Sequence, residues 1–147
     1  MEKYLPPKDK PLALIVDVDG TLAKKGDRDV YDGAKTYLDT PIKPIIEIVR
    51  RYSFTHKIII VSGRKSETAD VVKITKDWLE KYDIPFDELF IRIPGDNRQD
   101  AIIKKEIFDS HIRHNYDISF ILEDRNRVVD MWRSLGLTCL QVANGDF

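Results

Sequence analysis

Apolar residues gather into five short runs along the chain. Leu12–Val16 comes first, then the centre of Lys57–Ser62, then Leu89–Ile93, Ile118–Leu122 and Leu137–Val142. The first two are continuous rather than alternating, the pattern of a strand buried on both faces, as in a parallel sheet, and the other three, each holding one or two polar residues, read as further strands. The segments between them show helical spacing. A helix is predicted to start at Ile45, just after Pro44, a residue suited to a first helical turn. A second runs from an N-cap at Ser66 to about Tyr82, with Val71, Ile74, Thr75, Trp78 and Tyr82 on one side. A third begins near Asp100 with Ile103, Ile107 and Ile112 inward. A fourth carries Val128, Val129, Trp132 and Leu135 and stops at Gly136, a good residue for leaving a helix. Met1–Pro11, polar and holding three prolines, reads as a short arm. Ala23–Pro44, broken by Gly26, Gly33, Pro41 and Pro44, reads as an irregular insert.

Strands alternating with helices imply right-handed crossovers and an α/β, doubly wound parallel sheet with helices on both faces. Ligands of such sheets bind beyond the carboxyl ends of the strands, near the point where strand order reverses. The chemically capable residues fall there. Asp17 and Asp19 follow the first strand, Ser62 and Arg64 the second, and Glu123 and Asp124 the fourth.

The length of 147 residues, 42% hydrophobic and 33% charged, suits one domain spanning 1–147 with one sizeable core. Lys+Arg 24 against Asp+Glu 25 gives a net charge of −1, which excludes a strongly basic, duplex-coating protein. The single cysteine, Cys139, excludes an internal disulfide and a cysteine-rich metal site, and reads as a buried small residue in a reducing compartment. With no signal-peptide core and no apolar run near the ~18 residues of a membrane span, a soluble, cytoplasmic protein without a membrane partner is expected.

Asp17-Val18-Asp19-Gly20-Thr21 is the strongest local signal. Two carboxylates leave the strand together, with a glycine where the chain must turn. Acids this close need a cation between them or a shared proton, and Mg²⁺ suits an all-oxygen site. A plain Asp-Gly turn is the competing explanation for the pair. Asp100 either caps its helix or orients a basic residue in the site. Trp78 and Trp132 read as core. His56, His111 and His114 read as surface or helix-end residues, and Arg98 and Arg125 as structural ones. Lys24 and Lys25 read as solvated, and Tyr31 and Tyr37 as the aromatics better placed to touch a nucleobase.

Asp17–Thr21 resembles motif I of the haloacid-dehalogenase phosphohydrolases, and a Ser after the second strand, a Lys on a later helix and an acidic pair after the fourth strand follow in that superfamily's order. Further stretches are similar to the phosphatase domain of bacteriophage-type polynucleotide kinase-phosphatases. These are Arg28 with Tyr31-Asp32, Val61-Ser62-Gly63-Arg64, Gly95–Phe108, Asp124–Arg133 and Gln141–Phe147. The chain departs from that pattern at Glu123, where an aspartate is usual.

The resemblance implies strand order 3-2-1-4-5 and an Mg²⁺-dependent polynucleotide 3′-phosphatase working through an aspartyl-phosphate. It implies Asp17 as nucleophile, Asp19 as general acid and base, and Ser62 and Lys104 on the transferring phosphoryl group. Arg28, Arg64 and Thr21 would bind substrate. The metal would be held by Asp17, the backbone carbonyl of Asp19, and Asp124, with Glu123 and Asp100 behind them. The substrate would be a 3′-phosphorylated DNA or RNA end, and a kinase or ligase, as partner or further domain, would belong to the same repair chemistry. No Gly-x-x-x-x-Gly-Lys-[Ser/Thr] loop occurs in the sequence. Two other functions stay open on the residues alone: a phosphatase of a small phosphorylated metabolite, and a non-catalytic binding module of the same fold. Against the first, the insert is short for a lid that would shut out a polymer; against the second, Asp17, Asp19, Ser62, Lys104 and Asp124 are all present.

Overall fold

The computed structural model describes residues 2–26, 33–66 and 70–147. Strand β1 (Leu12–Val16) is the centre of a five-stranded parallel sheet. On one side it pairs with β4 (Lys57–Ser62), which pairs with β5 (Glu88–Ile91). On the other it pairs with β6 (Asp117–Glu123), which pairs with β7 (Cys139–Gln141). The order is therefore third, second, first, fourth, fifth, as expected, and it reverses at β1.

Alternate residues of each strand face opposite sides, so the same runs feed two cores. Ile15, Ile59 and Ile121 pack with Phe108, Val128 and Trp132 under α3 (Asp100–Ile107) and α4 (Asn126–Ser134). Leu14, Ile58, Ile60 and Leu122 pack with Ile46, Val49, Trp78 and Leu79 under α1 (Lys43–Tyr52) and α2 (Asp70–Lys81). Burying each such side chain is worth about 1.5–3 kcal/mol, which is why the continuous apolar runs settle in the centre of the sheet. Cys139 is buried, and no helix among the described residues is long and apolar enough to cross a membrane.

Several boundaries differ from expectation. The described part of the insert is ordered: β2 (Ala23–Lys24) pairs antiparallel with β3 (Thr40–Pro41), with a 3₁₀ turn at Gly33–Leu38. Helix α1 starts at Lys43, placing Pro44 in its first turn. The expected cap at Ser66 borders residues 67–69, outside the described residues, and α2 is described from Asp70. Strand β5 ends at Ile91 because the Arg92 side chain turns inward, leaving Ile93 74% exposed. After α3 the chain widens into a π turn at Phe108–Ile112, where the Phe108 carbonyl accepts the Arg113 N–H and both Phe108 and Ile112 stay buried. The N-terminal arm is tied to the sheet. The buried Tyr4 hydroxyl donates to the Tyr116 carbonyl at 2.8 Å and accepts the Ile118 N–H at 2.9 Å.

Candidate active site

Strands β1, β4 and β6 end side by side, so Asp17, Ser62 and the pair Glu123-Asp124 arrive at one edge of the sheet. Asp17, buried, lines the floor of a cavity of about 620 Å³. The Lys104 ammonium reaches it from α3, donating to Asp17 Oδ1 at 2.7 Å and to Glu123 Oε2 at 2.8 Å. Thr21 Oγ1 donates to the other Asp17 oxygen at 3.0 Å. Gly20 lets the chain turn here. Its φ is +80°, and a β-carbon at this position would lie 2.0 Å from Asp124 Oδ2. Any side chain at residue 20 would therefore push Asp124 off the site, beyond the strain it would meet in the left-handed region.

Carboxylate oxygens of Asp17, Glu123 and Asp124, one from each, lie within 4.8 Å of one another. All three residues are buried, and Lys104 is the buried cation beside them. Three acids facing one base leave an uncompensated negative charge. Burial, then the Glu123 charge, raises the Asp17 pKa against the pull of Lys104. Burial, then the charge of Asp17, pushes Asp124 up to about 9. Burial also opposes the charge on Lys104, but Asp17 and Glu123 more than offset this and hold its pKa above the ordinary lysine range. The arrangement suits a divalent cation, which would replace the proton the acids otherwise share.

A consequence for stability follows from the sign of the Asp124 shift. A carboxyl whose folded pKa lies above its unfolded value binds its proton more tightly when folded, so stability falls as pH rises between the two values. Without a divalent ion, the protein is expected to lose stability across the window from about 4 to about 9. The near-isosteric Asp124→Asn should flatten that fall. Thermal melts of both proteins in chelator, from pH 5 to 9, check this; parallel profiles would locate the strain elsewhere.

The second motif aspartate faces another way. Arg64 holds Asp19 as a fork: Nε lies 3.0 Å from Oδ2 and Nη2 lies 2.9 Å from Oδ1. The Arg64 side chain is 2% exposed, and its remaining donors go to Thr75 Oγ1 at 2.9 Å and Asp39 Oδ2 at 3.4 Å. Arg64, expected to bind substrate phosphates, lines the cavity with its guanidinium on Asp19, which stays 45% exposed at the cavity wall. Thr21, a second residue expected to bind substrate, is fully buried and bonded to Asp17. Arg28, the third such residue, lies outside the described residues, as do Tyr31 and Asp32.

Asp100 lies within the first turn of α3, and the N-cap position belongs to Gln99. Its carboxylate accepts from Arg92 on one oxygen and from Arg125 Nη1 at 2.6 Å on the other, so orienting bases is the part of the two expectations it meets. Arg92 and Asp39 are the site residues that sequence reasoning missed. Arg92 is 2% exposed and donates to the carbonyls of Gly63, Asp96 and Arg98, tying the loop after β5 to the loop after β4. In the sequence it sits within an apolar run, with no signal that its side chain turns inward. Asp39 reads as one more turn residue before a proline. Arg98 pairs with Asp96 and Glu106 near the surface, an arrangement worth little to stability. Ser62 is buried, its Oγ accepting the Arg64 N–H at 3.2 Å. Trp78 and Trp132 are core residues, as expected.

Comparison with known proteins agrees with this geometry. Residues 11–147 match the family described as the polynucleotide kinase PNKP phosphatase domain. The chain belongs to that family. It is thus a phosphatase domain of the haloacid-dehalogenase fold. Over 139 residues it is 35% identical to a protein of Autographa californica nuclear polyhedrosis virus named as a bifunctional polynucleotide kinase/RNA ligase, covering 91% of this chain and 20% of that one. A chain of the Pnkp1/Rnl/Hen1 complex superposes with a TM-score of 0.92 at 38% identity, over 100% of this chain and 51% of that one. In a second structure, of the Pnkp1/Rnl/Hen1 RNA repair complex, the values are 0.91 and 38%, over 99% and 47%. The chain therefore spans about half the length of those solved relatives and a fifth of the viral one. A haloacid dehalogenase-like hydrolase of Streptococcus pneumoniae, at 15% identity and a TM-score of 0.62, shares the fold.

Proposed function

We propose that this domain removes a 3′-terminal phosphate from DNA or RNA ends, in an Mg²⁺-dependent reaction through an aspartyl-phosphate on Asp17. The observation that carries the reading is the layout of charge in the cavity. Acids and Lys104 form its buried floor, and the exposed Lys24, Lys25, Lys65 and Arg127 line its mouth. A basic mouth attracts a polyanion without reading its sequence.

The three-carboxylate donor set fits Mg²⁺, which Asp17, Asp124 and the backbone carbonyl of Asp19 would hold, with Glu123 beside them. When bound, the ion supplies charge neutralisation at the phosphate oxygens. The rest of the chemistry falls to the chain's own residues. Asp17 attacks phosphorus, forming an acyl phosphate as the bond to the 3′-oxygen breaks. Asp19, aimed by Arg64, protonates that leaving oxygen, then takes a proton from water. The water attacks the acyl phosphate, and inorganic phosphate leaves with the Asp17 carboxylate restored. Lys104 and the Ser62 hydroxyl steady the transferring oxygens, which is most of what phosphoryl transfer asks of a protein. Arg28 remains the candidate for a backbone phosphate contact. The names of the viral relative and of the Pnkp1/Rnl/Hen1 complex support a kinase or ligase working alongside, as a further domain or partner.

The test compares phosphate release from a 3′-phosphorylated oligonucleotide, a 5′-phosphorylated one and a panel of sugar phosphates, with Mg²⁺ and with chelator. Release from the 3′-phosphate alone, abolished by chelator, is expected. Oligonucleotide binding should weaken with salt in proportion to the phosphates contacted. Comparable kcat/KM on a sugar phosphate would overturn the polynucleotide assignment.

A further inference from the structure

Residues 141–147 return to the site and are fastened to its acidic strand end. The Val142 N–H donates to the Glu123 carbonyl at 3.0 Å. The Gln141 side-chain amide donates to the Asp124 carbonyl at 2.9 Å, and the Asn126 N–H donates to the Gly145 carbonyl at 2.9 Å. Gly145 passes so close that a β-carbon there would fall 1.8 Å from the Asp124 carbonyl oxygen and 2.6 Å from Arg125 Cα. Two residues on, the Phe147 ring lies over the Arg125 guanidinium, 4.6 Å from its centroid to Cζ. Arg125 is itself clamped by Asp100. Phe147 is thus held in place while staying 62% exposed, and it lines the same cavity as Asp17. Among the described residues it is the aromatic side chain on that wall. Tyr37, expected from the sequence to meet a base, is exposed but does not line the cavity, and both tryptophans are buried.

A phenyl ring left in water adds little to the fold, whereas one braced beside a cavity that admits a polynucleotide offers a flat face to a base. We propose that Phe147, backed by Arg125, is a stacking platform for a nucleobase at the end of the substrate. This rests on the polynucleotide reading above and deepens it. Every base has a π face, so such a platform separates nucleic acid ends from sugar phosphates without choosing among sequences.

The experiment uses the whole protein and three kinds of substrate. These are a 3′-phosphorylated oligonucleotide, the same oligonucleotide with a single abasic residue at the last, second or third position, and glycerol phosphate, which has no ring. Phe147→Ala should lower the ratio of kcat/KM on the intact oligonucleotide to that on glycerol phosphate by on the order of 5- to 100-fold, mainly through KM. Phe147→Trp should restore it. At one abasic position the parent should fall to the level of Phe147→Ala, and the substitution should then cost nothing more. Equal losses on all substrates, with a change in oligomeric state by gel filtration, would assign the ring to a protein contact and overturn the proposal. A parent that prefers the 3′-phosphorylated oligonucleotide with no dependence on Phe147 would overturn the stacking alone. A parent with no such preference would overturn the polynucleotide reading as well.

Discussion

Asp17→Asn is expected to lower phosphate release by on the order of 10⁴-fold or more while leaving the fold intact, as losing a covalent nucleophile does elsewhere. The side chain keeps its shape: the amide oxygen can accept from Lys104 where Asp17 Oδ1 now does at 2.7 Å, and the amide N–H can donate to Thr21 Oγ1, a hydroxyl able to accept as well as donate. The amide cannot make the attack that forms the acyl phosphate. It also removes one of three buried acids, relieving repulsion with Glu123 and Asp124. The melting temperature should therefore hold or rise in chelator even as activity disappears. Rapid acid quench of the parent on ³²P-labelled substrate should trap label on the protein, and Asp17→Asn should trap none. Full turnover by a folded Asp17→Asn protein would reject the assignment.

Lys104→Met is expected to damage stability and catalysis together. The ammonium lies 2.7 Å from Asp17 and 2.8 Å from Glu123, and all three side chains are less than a tenth exposed. Removing the cation leaves buried carboxylates without a counter-charge, at a cost of about 3–5 kcal/mol. In a domain of this size each kcal/mol is worth about 2–4 °C, so a fall of roughly 10 °C at pH 8 should follow. The deficit should shrink as pH drops, because Asp17 takes up a proton and the unpaired charge vanishes. Turnover should fall by on the order of 10²–10³, the usual scale for one lost electrostatic stabiliser. Melts at pH 5 and pH 8, beside initial rates, check both halves. A variant as stable as the parent at pH 8 would mean that the ion pair is not what holds the buried acids.

Much of the fold was legible because its signals are local and redundant. Leu12–Val16 and Lys57–Ser62 are apolar on consecutive positions, and only a strand covered on both faces satisfies them. Gly136, with φ +87°, ends α4 where the helical spacing stops. Asp17 and Asp124 could be placed on one edge in advance because both follow strands of a parallel sheet, and beside each other through the strand order that the resemblance implies. The parts that could not be read share a different character. Arg92 and Asp39 are polar residues whose surroundings, not whose neighbours in sequence, decide whether they face water.

Arg64 shows the division most clearly. Its position one residue past Ser62-Gly63 put it at the site. That its fork meets the Asp19 carboxylate, with Asp39 folded in from the insert beside it, was decided by the tertiary structure. By itself the sequence determined the sheet, its order through the resemblance it carries, and which strand ends hold the chemistry, since apolar periodicity and turn residues act over a few positions. The tertiary structure decided the pairing of charges: Lys104 with Asp17 and Glu123, Arg64 with Asp19, Arg92 and Arg125 with Asp100. Ion pairs form between groups brought within a few ångströms from far apart in the chain, where burial strips away water and makes each choice of partner matter.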